Sequence, residues 1–176
     1  MLFDIELFHR NDIDISIKHK NRIAVRAVII NGNSITMAYL KKNNEYKFPG
    51  GGVNQNETME EALKREIKEE IGASLKLIKR KLGIVTEYDK QDEDKNEYFR
   101  MESHYYEVEI DSEIREQELD EYEKELEYVM KVVNIEDALN TNRNTMNEVT
   151  KYKTKWIKRE TLVLEKIKEI VKSKIG

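Results

Sequence analysis

Apolar positions recur along this chain with two different spacings, and the change between them marks out its elements. RIAVRAVIIN at 22–31 and SITMAYLKK at 34–42 are rich in β-branched and apolar residues, and Gly32-Asn33 separates them, which predicts a β-hairpin. EYKFPGGG follows as a short strand that runs into Pro49 and three glycines, where the backbone must turn tightly or approach something closely. Over 59–71 the spacing becomes helical: Thr58 and Glu61 form a capping-box pattern and Gly72 is a C-terminal stop. LKLIKRKLGIVTEY and EYFRMESHYYEVEI then read as long strands that pair with the hairpin, LEYVMKVVN as another strand and IEDALN as a helical turn. WIKRETLVLEKIKEIVKSKI is an amphipathic terminal helix, with Leu162 or Val163, Lys166 or Ile167, and Ile170 or Val171 on its apolar side.

On a wheel of the 59–71 helix with Met59 at zero, Leu63, Ile67 and Ile71 fall at about 40°, 80° and 120°, the core-facing stripe. Glu66 falls at about 340°, Glu70 at about 20° and Glu69 at about 280°, so Glu70 lies inside the apolar sector and Glu66 on its border. A purely solvated acidic face would set these carboxylates opposite the stripe. A partly buried carboxylate must instead be paired, protonated or bound to a metal, because an uncompensated buried charge costs several kcal/mol. The triplet therefore points to a cation. With no Cys and only three His in the chain, clustered oxygen ligands suit magnesium or manganese better than zinc. Glycines 50–52 would let backbone groups approach the same cation or a phosphate.

Composition narrows the function further. The 176 residues, 39% hydrophobic and 38% charged, suit one soluble domain, 1–176. A net charge of −4 without a Lys/Arg block disfavours nucleic-acid binding. The absence of Cys removes disulfides and thiol nucleophiles and fits a reducing compartment, the cytoplasm. Asp4 and Glu6 interrupt the start before any signal-like apolar run, and IAVRAVII is too short to span a membrane. Residues 111–127 carry nine Asp/Glu against two Lys/Arg and read as an exposed loop or short helix, with room for an extra metal ligand.

The segment GGVNQNETMEEALKREIKEEIGA at 51–73 resembles the signature of the Nudix hydrolases, G-x5-E-x7-R-E-U-x-E-E-x-G-U with U a bulky aliphatic residue. Gly51, Glu57, Arg65, Glu66, Ile67, Glu69, Glu70 and Gly72 match in register; Ala73 is smaller than the usual aliphatic, which touches packing rather than chemistry. The resemblance implies an α/β fold of the α+β kind, an α/β/α sandwich around a mixed β-sheet, here with an added C-terminal amphipathic helix in an extension, 140–176. It also implies that Glu66, Glu69 and Glu70 bind Mg2+ (or Mn2+) with help from the Gly51 carbonyl, and that Arg65 with Glu57 locks loop to helix. The implied activity is hydrolysis of a nucleoside diphosphate linked to another group, with Glu66 as the first choice to take the proton from water and a downstream carboxylate among Glu116, Glu118, Glu121, Glu123, Glu125 and Glu127 as the alternative.

Arg26, Lys41 and Lys42 are candidates to face substrate phosphates, and Tyr46, Phe48, Phe99, Tyr105 and Tyr106 to stack on a base. The expected substrate is a nucleoside triphosphate, oxidised purine forms included, cleaved to monophosphate and pyrophosphate, with a nucleotide sugar or dinucleoside polyphosphate as the alternative. The expected partner is this small nucleotide, with no membrane and no nucleic acid; a homodimer is compatible with the chain. A diphosphate isomerase of similar fold would need a catalytic Cys, which is absent. A non-catalytic nucleotide sensor would tend to lose the glutamates kept here, and an acidic scaffold leaves Glu70 unexplained.

Overall fold

The computed structural model describes residues 1–90, 97–113, 115–148 and 154–175, so the acidic tract 111–127 is described except at residue 114. Strand β1 (Phe3–Phe8) opens the chain, followed by β2 (His19–Asn31), β3 (Ser34–Leu40) and β4 (Glu45–Lys47). Helix α1 (Met59–Ile71) leads to β5 (Leu75–Asp89) and β6 (Tyr98–Ile110), then α2 (Glu121–Glu125), β7 (Tyr128–Asn134), α3 (Ile135–Asn147) and α4 (Ile157–Ile175). These strands form one mixed seven-stranded sheet in the order β1-β5-β6-β2-β3-β4, with β7 added to β3.

The expected hairpin forms, but only at its closed end: β2 pairs antiparallel with β3 at Ile29↔Thr36 to Asn31↔Ser34. Over most of its length β2 runs parallel to β6, from His19↔Tyr98 to Val28↔Glu107. β1 adds a parallel edge on β5, and β5 and β6 pair antiparallel through three irregularities of register. Alternation along β2 divides the core. Val25 and Ala27 pack with Ala62, Leu63, Ile67 and Ile71 of α1 on one face. Val28, on the opposite face, joins Val85, Tyr105 and the α3 and α4 residues Leu139, Val163, Leu164 and Ile167. The result is the expected helix/sheet/helix sandwich.

Helix α1 has the limits its sequence predicts. Glu61 N–H donates to Thr58 Oγ1 at 3.2 Å, Thr58 N–H donates to Glu61 Oε2 at 2.8 Å, and Gly72 ends the helix at φ 74°. Helix α3 is longer than the helical turn expected at IEDALN. Its second half buries Asn142 and Thr145, polar residues that no apolar periodicity reveals. Asn142 Oδ1 accepts from Tyr46 N–H at 2.7 Å and its Nδ2 donates to Tyr46 C=O at 2.9 Å, so one side chain replaces a neighbouring strand beside β4. Among the described residues, no helix is long and apolar enough to cross a membrane.

Candidate active site

The turn after β4 brings backbone and helix together. Gly50, at φ 137°, donates its N–H to Glu70 Oε2 at 2.8 Å, and a Cβ at Gly50 would strike the Val25 carbonyl, so only glycine fits. Gly51 lies directly against the Glu66 carboxylate, where a Cβ would strike Oε1. Arg65 ties the segment down. Its Nε and Nη2 donate to the two Glu57 oxygens at 2.8 and 3.0 Å, Nη2 also reaches Gly52 C=O at 3.0 Å, and Nη1 reaches Glu66 at 2.6 Å and Glu69 at 3.2 Å. These carboxylates hold the Arg65 guanidinium firmly in its charged form.

Burial follows the helical wheel. Glu70 is 1% exposed and Glu66 7%, while Glu69 stands half-buried at the rim. Glu70 is compensated by Lys47 of β4, whose Nζ donates to Oε1 at 2.6 Å. Burial first, and then the neighbouring Glu70 charge, push the Glu66 carboxyl above the usual carboxylate range, and Arg65 only partly opposes them. From α2 a fourth carboxylate, Glu123, comes against Glu70. Burial, with the hydrogen bond and charge of Glu70, raises it to about 7. Among the described residues no three carboxylate or imidazole groups stand in a metal-holding arrangement, and Arg65 and Lys47 each bond a glutamate oxygen of the site.

A cavity of about 550 Å³ opens over these groups. Glu66, Glu70, Gly50, Gly51 and Gly52 form one side, with Asp120 and Glu123 also lining it. Arg22, Ala24 and Arg26, alternate residues of β2, line it as well. Arg26 is 5% exposed, donates through Nη1 to Gly50 C=O, and leaves Nε without a partner among the described residues. Phe99, Met101, Lys155, Trp156 and Arg159 also line it, together with His9, Lys47, Glu87, Asp89, Tyr122 and Tyr128.

The structure thus brings together Gly51, Glu57, Arg65, Glu66, Glu69, Glu70 and Arg26. Of the eight residues expected at the substrate, Arg26 and Phe99 line the cavity and six stand elsewhere. Lys41 is exposed in the turn between β3 and β4, outside the cavity lining, as is Lys42. Phe48 is fully buried and meets the Tyr105 ring edge-on at 5.4 Å, because strand alternation sends Lys47 toward Glu70 and Phe48 into the core. Tyr46, Tyr105 and Tyr106 also pack in the core; Phe99 alone of the five aromatic candidates lines the cavity. The sequence reading missed Arg22, Lys47, Trp156 and Arg159. Arg22 was visible as the i−4 companion of Arg26 on one strand face, whereas the others depend on contacts distant in sequence.

The family model of the NUDIX domain matches residues 20–168, so most of α4 falls inside the matched domain. A crystal structure of MutT NUDIX hydrolase from Burkholderia pseudomallei superimposes with a TM-score of 0.52 at 20% identity, covering 84% of this chain and 98% of that one. The E. coli ORF135 protein matches at TM-score 0.46 and 18% identity over 71% of this chain and 80% of that one. A UDP-X diphosphatase matches at 0.46 and 17%, over 66% and 52%. With the match spanning most of the sequence and the glutamate helix seated under its glycine turn, the chain belongs to the Nudix family and is a Nudix pyrophosphohydrolase.

Proposed function

We propose that the protein hydrolyses a nucleoside triphosphate, oxidised purine forms included, to the monophosphate and pyrophosphate with magnesium or manganese as cofactor. The observation that carries this reading is the meeting of two buried glutamates, Glu66 and Glu70, with the buried Arg26 in one cavity wide enough for a nucleotide. The donor set fits a hard divalent cation. Glu66, Glu69 and Glu70 with the Gly51 carbonyl supply oxygens only, Gly51 has no Cβ to block the Glu66 carboxylate, and burial, with the neighbouring Glu70 second, raises Glu66 and Glu123. A bound cation there would neutralise phosphate oxygens and lower the pKa of water.

The chain's own residues do the rest. Arg26 and Arg22 orient the phosphates from the cavity wall. Arg65 and Glu57 keep the glycine turn and α1 in register. Lys47 balances Glu70 until the cation and phosphates arrive. The proton of the attacking water goes to Glu123 in preference to Glu66, because Arg65 already holds Glu66 whereas Glu123 lines the cavity with a carboxyl that titrates near neutrality. A cytoplasmic location fits the absence of cysteine.

Product chromatography after incubation with triphosphates, ADP-ribose, nucleotide sugars and diadenosine polyphosphates tests the reading, with Glu66→Gln and Glu123→Gln alongside. Pyrophosphate release from one triphosphate at the highest kcat/KM supports it. Preference for a diphosphate-linked ester refutes the triphosphate assignment and leaves the hydrolase intact.

A further inference from the structure

The cavity wall continues along the sheet from the arginine row. Met101 of β6 pairs in register with Arg22, and Phe99, two residues away on the same face, pairs with Asp89 of β5 at the end of that row. Trp156, immediately before α4 and next to the Lys155 that reaches Asp89, lines the cavity too and meets the Tyr122 ring of α2 edge-on at 6.0 Å. Its indole Nε1–H is shielded from solvent and has no acceptor among the described residues. Flat apolar surface and one unspent donor are what a planar heteroaromatic ring uses.

Two carboxylates face this end, and only one is free to change partners. Glu87 is locked: His9 Nε2 lies 3.0 Å from one oxygen and the fully buried Arg159 donates to the other at 2.5 Å. Asp89 accepts from Lys90 N–H at 2.8 Å and from Lys155 Nζ at 3.0 Å. The Lys155 side chain is 75% exposed, so that pair exchanges at little cost. A carboxylate is acceptor-only, and of the common bases guanine is the one that presents two adjacent donors, a ring N–H and an exocyclic amino group, to its two oxygens.

We propose that this end is a base-reading subsite that seats a guanine ring on Phe99 and Met101 beside Trp156 and reads its donor edge with Asp89. The subsite deepens the nucleotide pyrophosphohydrolase reading and rests on it. Asp89 is its specificity-determining residue, Phe99, Met101 and Trp156 supply the surface on which the ring packs, and the glutamate site handles the phosphates whatever base is bound.

Trp156 is the sole tryptophan in the chain, so its fluorescence reports the subsite directly. The metal-free protein in EDTA is titrated with GMP, IMP, AMP and UMP, none of which the hydrolase reaction consumes. Saturable quenching is expected, tightest for GMP and about tenfold weaker for IMP, which lacks the exocyclic amino group. Asp89→Asn is expected to close that gap with an unchanged melting temperature, and Trp156→Phe to keep a guanine preference in competition turnover assays. A silent fluorescence signal, tighter binding of AMP or UMP, or a GMP preference untouched by Asp89→Asn overturns the subsite. Triphosphate turnover with silent fluorescence defeats the subsite alone; GMP-selective quenching without any magnesium-dependent turnover defeats the hydrolase reading alone.

Discussion

Strand β4 has only three residues, yet it carries Lys47 to Glu70 and aims the glycine turn at α1, so whatever holds it holds the site. On the side away from β3, Asn142 supplies both hydrogen bonds of Tyr46, at 2.7 and 2.9 Å, from a position with no solvent exposure. Asn142→Ala leaves a buried N–H and a buried C=O without partners, and each unsatisfied group costs about 1–3 kcal/mol. The expected destabilisation is therefore about 2–6 kcal/mol. For a domain of this size 1 kcal/mol corresponds to roughly 2–4 °C, so Tm should fall by about 4–24 °C. The neighbouring Arg143 pairs with Glu165 at 2.8 Å on the surface, and Arg143→Ala should cost under about 1 kcal/mol. Thermal melts followed by circular dichroism, with urea titrations to compare m-values, measure both. An Asn142→Ala variant that melts within 2 °C or so of wild type would refute the claim that this amide anchors β4.

Glu69→Gln and Glu70→Gln should each remove most turnover while the protein stays folded, as circular dichroism and magnesium titration would show; near-normal activity in either removes that residue from the site. Millimolar magnesium should raise Tm, since a ligand bound only by the folded state stabilises it and relieves carboxylate repulsion; no shift in melting or in backbone NMR signals at 66–70 contradicts a metal site there. With Glu123 as the base, Glu123→Gln should lower kcat by about a hundredfold or more and remove the acidic limb of its pH profile; a variant with wild-type kcat and profile returns the role to Glu66. Because the Glu123 pKa is raised on folding, the native state binds the extra proton between about 4.5 and 7. Its contribution to stability is present at low pH and lost as pH rises through that window, so Glu123→Gln should raise Tm of the metal-free protein at pH 8 and not at pH 4, measured by calorimetry.

Much of α1 was legible because its determinants are local. A capping box, an apolar stripe and a terminal glycine all lie within 58–72, and the wheel position of Glu70 foretold its burial. Elements fixed by distant partners were not. β1 gains its strand neighbour only when β5 arrives alongside it. The end of α3 is buried through Asn142 and Thr145, which bond backbone around β4, and hydrophobic periodicity does not register such residues. Arg159 and Glu160 stand four and three residues before Val163, on the apolar side of α4, and periodicity alone does not say what compensates them; in the fold both are buried, Arg159 bridges Glu87 and Glu160, and Glu160 accepts from Phe48 N–H at 2.9 Å. The same network lets burial, which would raise Glu87, be more than offset by Arg159 and His9, leaving its carboxyl at about 2. Among the downstream acids, only a three-dimensional view separates Glu123 from its neighbours, since six glutamates in a charged tract look alike in sequence.

If the carboxylates of α1 hold a divalent cation that the hydrolysis requires, steady-state kinetics of wild type and Glu70→Gln with the preferred nucleotide, across a magnesium titration, will show it. Metal charge stabilisation amounts to several kcal/mol, so Glu70→Gln should lower kcat/KM by at least about a hundredfold and shift the magnesium dependence to higher concentration. Turnover in EDTA equal to that in magnesium, or a Glu70→Gln variant with wild-type kcat/KM and magnesium dependence, would contradict it.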